Sequence, residues 1–183
     1  MRGNKRAVCL LLAVLLALGC LGMVGCKEPE PQLYVISDLV VQDIPGNWKM
    51  IADYRELAIP SITLEIDADT RFVASFYPQY WLVDSKIKAN KKELEEGEKY
   101  EVLDTVELTN FMAKHIKWTK REDVKFRYIE GYIFKCGDGV GSIAIQKTPN
   151  SQYDINGEQF QGLLNSAEKL SFEIGEDRDV SDK

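Results

Sequence analysis

Two consecutive runs of alternating polarity constrain the fold most. Residues 61–67 (SITLEID) set Ile62, Leu64 and Ile66 against Thr63, Glu65 and Asp67, and residues 71–77 (RFVASFY) follow the polar turn Ala68-Asp69-Thr70. A period of two puts alternate side chains on opposite faces of a pleated strand, so the pair predicts a β-hairpin. Asp67 and Asp69 resemble calcium ligands only superficially, because an EF-hand loop would need a glycine and an acid where Phe72 and Pro78 stand.

Strand signals continue along the chain. Residues 33–36 read as a short strand, followed by a turn or short helix capped by Ser37. Residues 100–108 (YEVLDTVEL) have strand composition, and residues 123–136 read as one long strand or two bent at Gly131. Gly137-Asp138-Gly139 is a tight turn from which residues 140–147 (VGSIAIQK) return. Helix is scarce. Residues 109–119 (TNFMAKHIKWT) carry Met112 and Ile116 four apart and predict a short amphipathic helix capped by Thr109. The charged residues 86–99 (KIKANKKELEEGEK) predict a solvated loop or one helical turn, and residues 158–167 (EQFQGLLNSA) suit either a short helix or a final strand. Many short strands, little helix and no repeat predict a mainly β fold. The expectation is a small antiparallel barrel with one or two short helices, with a β-sandwich as the alternative.

The start of the chain has a different logic. Residues 1–6 carry Arg2, Lys5 and Arg6 and no acid, residues 7–18 (AVCLLLAVLLAL) are continuously apolar, and LGMVGC follows. These are the three regions of an export signal. Gly19, Gly22 and Gly25 weaken the stretch as a spanning helix, each by roughly 1 kcal/mol against alanine. Met23-Val24-Gly25-Cys26 resembles the lipobox of bacterial lipoproteins, with Met23 where that family more often has leucine. Ala17-Leu18-Gly19-Cys20 is a poorer match. The resemblance implies a signal peptide over 1–25, cut before Cys26, and a thioether-linked diacylglycerol on Cys26. Further acylation of the new amino end by a palmitate-type chain follows from the same likeness. Residues 26–32 would then be the lipidated cysteine and its tether, since Lys27-Glu28-Pro29-Glu30-Pro31 is polar and proline-stiffened. Two or three acyl chains anchor stably, at ~0.8 kcal/mol per buried CH₂. Lysine rather than aspartate after Cys26 implies the outer membrane in a cell with two membranes, and the cell membrane otherwise.

Loss of residues 1–25 removes three basic residues and no acid, leaving 20 basic and 29 acidic residues and a formal charge of −9. A chain so acidic is a poor general partner for nucleic acid. Residues 33–175 form a single β-rich domain in this reading, with 176–183 a charged tail. Of the four cysteines only Cys136 lies in that domain, so no disulfide holds it, and Cys136 reads as a small buried core residue.

Gly46-Asn47-Trp48 resembles the G-x-W that opens the first barrel strand of lipocalins and lipocalin-like bacterial lipoproteins. The likeness implies that Trp48 packs across a closed barrel end, that residues 39–44 form a preceding helical turn, and that Arg178 is the partner of the tryptophan. Tyr77, Tyr80 and Trp81 crowd around Pro78. They read either as a ligand-facing or partner-facing loop or as a strand end packed into the core. The basic run Lys114, Lys117, Lys120, Arg121, Lys125 and Arg127 reads as a contact for anionic groups or as a solvated face balanced by acids. His115 is the only histidine, and no metal-ligand spacing surrounds it, so neither a metal nor a cofactor is expected. No G-x-S-x-G, H-E-x-x-H or Cys–His pattern points to catalysis. The expected function is a lipid-anchored cell-envelope protein, not an enzyme, binding a small apolar or amphipathic ligand in a barrel. The alternative is a non-catalytic surface platform for a protein partner or host molecule.

Overall fold

The computed structural model describes residues 29–170. Residues 1–25, read above as an export signal, Cys26, Arg178 and the expected charged tail 176–183 lie outside the described residues. Strand β1 (Gln32–Ile36) turns through Ser37 and Asp38 into β2 (Leu39–Ile44). Strands β3 (Lys49–Asp53), β4 (Ser61–Asp67) and β5 (Thr70–Tyr77) follow, then helix α1 (Val83–Lys92). A second series runs β6 (Lys99–Glu107), β7 (Met112–Thr119), β8 (Tyr128–Cys136) and β9 (Gly139–Lys147), and helix α2 (Glu158–Ser166) and β10 (Glu168–Lys169) end it.

These elements make two antiparallel sheets. A small sheet has the order β1-β2-β10, and a seven-stranded sheet has the order β3-β4-β5-β9-β8-β7-β6. The predicted hairpins are present: Leu64 faces Phe72 across β4 and β5, and Cys136 faces Gly139 across β8 and β9. Since β5 pairs with β9 while β6 lies at the far edge, the segment between β5 and β6 must cross the sheet, and α1 lies in it. Barrel closure requires a ladder between the first and last strands in the order. Among the described residues β3 pairs only with β4 and β6 only with β7, so the ladders leave the sheet open.

The two faces of the large sheet have different companions. One carries Leu64, Phe72, Phe134, Ile143 and Ile145, all wholly buried beneath the small sheet and α2. α2 adds Phe160, Leu163 and Leu164 to that core. The opposite face holds a smaller cluster of Tyr100, Ile116, Ile133 and Val140 under Ile87 of α1. Cys136 is 1 % exposed in the first core, as expected. Its thiol donates to the Asp38 carbonyl at 3.3 Å, and burial pushes its pKa up to about 11.

Three local expectations change. Residues 112–119 form a central strand, because β7 pairs on both sides and both its faces are covered: Ala113 joins one core and Ile116 the other. Apolar residues at both parities erase the period of two that would have marked it. Residues 39–44 are strand β2 rather than a helical turn, because Leu39, Val40, Val41 and Ile44 all find burial there. Residues 83–92 form a full helix. Val83, Ile87 and Leu94 recur at helical spacing on the sheet-facing side, Asp84 suits the first turn, and Lys91 and Lys92 suit the last. Residues 158–166, open between helix and strand in the sequence, are helical.

Candidate functional site

The site begins with what the sheet leaves empty beneath α1. On this face β5, β9 and β8 present small side chains. Ser75 pairs with Ser142, and Val73 with Ala144, which in turn pairs with Gly131. Gly131 has no room for a side chain: a Cβ there would lie 2.5 Å from the Ala144 Cβ. A helix laid across so low a floor cannot touch it everywhere. The result is a cavity of about 280 Å³ between α1 and the sheet, lined below by Ser75, Ser142, Val73, Ala144 and Gln146 with Ile116, Ile129 and Trp118. Ligand sites usually span roughly 300–1,000 Å³, so this one suits a small molecule.

The roof is polar where a structural helix would be apolar. Lys86 and Asn90 share the buried stripe with Ile87, and Lys86 is only 9 % exposed. Its ammonium lies 4.0 Å from the centre of the Tyr77 ring and 5.4 Å from that of Tyr80. Among the described residues it forms no ion pair. Burial lowers the pKa of Lys86 from its usual 10.5, against a smaller opposing pull from Glu93 at the cavity rim. Removing an ammonium from water costs several kcal/mol, and ring faces return about 0.5–2 kcal/mol. The protein thus carries a net electrostatic cost at Lys86. Asn90 by contrast has a fixed task, donating to the Tyr100 hydroxyl at 3.1 Å. Burial raises the pKa of Tyr77 and of Tyr100, with hydrogen bonds from Ser75 and Asn90 respectively pulling the other way.

The structure divides the aromatic group named from the sequence. Tyr77 and Tyr80 stand together at this cavity, edge to face with ring centres 6.4 Å apart. Trp81 is separate: it is 70 % exposed, with the Lys135 ammonium 5.6 Å over its ring. Lys86 and Asn90 were missed. The signal was present as Val83, Lys86-Ile87, Asn90 and Leu94 at three- and four-residue spacing, which puts a lysine and an asparagine on the apolar side of a helix.

Gly46 and Trp48 belong to the other face. Trp48 is 3 % exposed and packs on Phe72 at 5.4 Å and Tyr153 at 6.4 Å. Burial pushes the Tyr153 pKa up to about 12. A Cβ on Gly46 would sit 2.7 Å from the Pro29 side chain. This is a core position, away from the cavity.

Several other charged groups are paired with one another. His115 is half-buried, stacked on Tyr132 at 4.8 Å between Asp104 at 3.2 Å and Glu130 at 3.1 Å. From the basic run, Lys117 pairs with Glu130, Lys120 with Glu98, and Arg121 with Glu95 and Asp123. Burial raises the Glu98 pKa, but hydrogen bonds from Lys120 and Trp118 outweigh it and leave the carboxyl below its usual value. Half of that run is therefore balanced by acids; Lys114 donates instead to the Thr105 hydroxyl, and Lys125 and Arg127 lie over the Phe126 and Tyr128 rings. Among the described residues no group of three His, Cys, Asp or Glu could hold a metal, and no helix is long and apolar enough to cross a membrane. No protein-family model matches the chain, and no curated protein matches it.

Proposed function

We propose that the protein is a non-catalytic, lipid-anchored cell-envelope module that holds a small amphipathic ligand between α1 and the sheet. The observation that carries the reading is the cavity of about 280 Å³, with a mixed apolar and polar lining and a nearly buried, unpaired lysine in its roof. The anchored location rests on the export signal and the lipobox-like Met23-Val24-Gly25-Cys26. A lipocalin-like barrel is the finer architecture of this proposal. Its support is the antiparallel order of seven strands and the buried Trp48 of the G-x-W motif, and it requires a ladder from β3 to β6.

Native mass spectrometry of the protein from its own source, before and after organic extraction, tests the reading. A discrete bound mass lost on extraction is expected. A bare polypeptide, unchanged by extraction and by added amphiphiles, would count against it.

A second reading, a docking platform, draws on a different surface. Trp81 and Leu82 are exposed side by side, as are Tyr54, Leu57 and Ile59 in the loop after β3. Alanine at Trp81 and Leu57 should then change the partners captured by cross-linking in intact cells, and an unchanged set would sink it.

A further inference from the structure

We infer that the ligand of the α1 cavity is a small amphipathic monoanion of the carboxylate type, whose charged head meets Lys86 and whose apolar body lies along the β9 and β8 floor. The inference rests on the ligand-binding reading above and adds the chemical class.

Three observations converge on it. The first is the unpaired state of Lys86, more than nine-tenths buried yet lining a cavity and facing two tyrosine rings rather than a carboxylate. Aromatic faces hold a cation in place without neutralising it. A helix roofing only a structural core would be better served by leucine at this position, and an arriving carboxylate supplies the missing countercharge.

The second is the order of side chains along the floor. Tyr77, which touches Lys86, lies one step along this face from the paired hydroxyl residues Ser75 and Ser142. The next row is Val73, Ala144, Gly131 and Ile116, and the row after that ends in Ile129 and Trp118. Polarity therefore falls from the lysine to the Ala144 row and returns only at Gln146, in the same row as Ile129. A head group at Lys86 can accept from the ammonium and the two hydroxyls while an aliphatic body covers Ala144 and Ile116.

The third is the count of cations. Among the described residues Lys86 is the only basic one lining the cavity, and Glu93 stands at the same rim. Phosphate dianions are usually held by arginine forks, several cations or helix N-termini. One ammonium with neutral hydroxyl neighbours matches one negative charge.

The test compares three ligands of equal length: hexanoate, the neutral hexanamide and the cationic hexylammonium. Each is radiolabelled and equilibrium-dialysed against the full chain in lipid nanodiscs, with empty nanodiscs as the blank. Hexanoate is expected to bind about tenfold or more tightly than hexanamide, as a charge-assisted contact should give. In Lys86→Met the preference is expected to vanish, with hexanoate falling to the hexanamide level while hexanamide binding persists. Equal binding of hexanoate and hexanamide by the native chain, or tighter binding of hexylammonium, overturns the anion inference and leaves the ligand-binding reading standing. A preference that survives Lys86→Met overturns the assignment of Lys86. No binding of any of the three contradicts both readings.

Discussion

The two faces of the seven-stranded sheet use the same strands for opposite purposes. On the face beneath the small sheet, Phe72, Phe134, Ile143 and Ile145 are wholly buried and the aromatic rings interlock, with Phe111 stacked on Phe134 at 4.3 Å. On the face beneath α1, the same β5, β8 and β9 offer Ser75, Gly131, Ser142 and Ala144, and the helix above them brings Lys86 and Asn90. One face is filled and stabilises the fold. The other is left under-filled and carries a buried charge, which destabilises it. A protein that needed both faces only for stability would fill both, so the difference between them is where function is to be sought.

The largest contrast should come from neighbouring residues on β8. Phe134→Ala empties a fully buried ring site and should cost about 3–5 kcal/mol in urea unfolding. Ile133→Ala, on the cavity side, should cost nearer about 2 kcal/mol, because space already exists beside it. Equal losses would mean that the two faces are equally packed. Glycine gives the next contrast. A Cβ at Gly141 would meet the Phe134 ring at 2.6 Å, so Gly141→Ala should destabilise by about 1–3 kcal/mol. Ser142→Ala, one residue on and facing the cavity, should stay within about 0.5 kcal/mol of the native protein.

Lys86→Met should reverse the sign. Removing the poorly compensated charge should stabilise the fold by about 1 kcal/mol, a rise in Tm of about 2–4 °C for a domain of this size. The pH dependence follows from the direction of the shift. A base whose pKa is lowered by folding destabilises the folded state at every pH below its folded pKa, and the penalty disappears as pH rises through that value toward 10.5. The advantage of Lys86→Met should therefore be full at neutral pH and lost in alkaline solution. The smallest effect belongs to Trp81. At 70 % exposure, Trp81→Ala should change unfolding by no more than about 0.5 kcal/mol.

Legibility in the sequence follows the same division. The β4–β5 and β8–β9 hairpins were readable because their turns are marked by Asp69 and by Gly137-Asp138-Gly139. The β7 strand was not, because its two covered faces put Ala113 and Ile116 at different parities and Met112 with Ile116 mimicked a helical pair. Helix α1 was masked by its lysines, whose charge suggests solvent although Lys86 faces the sheet. Tyr77 and Tyr80 were found from their clustering alone. Their partner Lys86 lies six or more residues on, and only the crossing of the sheet by the β5–β6 connection brings them together. The lipobox-like segment is the reverse case, legible in sequence and outside the described residues.

The most direct test of the under-filled face is thermal unfolding of the native chain and Lys86→Met side by side, with and without hexanoate. The account predicts that Lys86→Met unfolds at the higher temperature without ligand. It also predicts that hexanoate raises the native Tm, by linkage worth about 2.7 kcal/mol at a hundredfold excess over Kd, and raises that of the variant by about half as much or less, since its affinity is about tenfold or more weaker. A variant that unfolds earlier than the native chain, together with a native Tm indifferent to hexanoate, would contradict it and make Lys86 an ordinary structural residue.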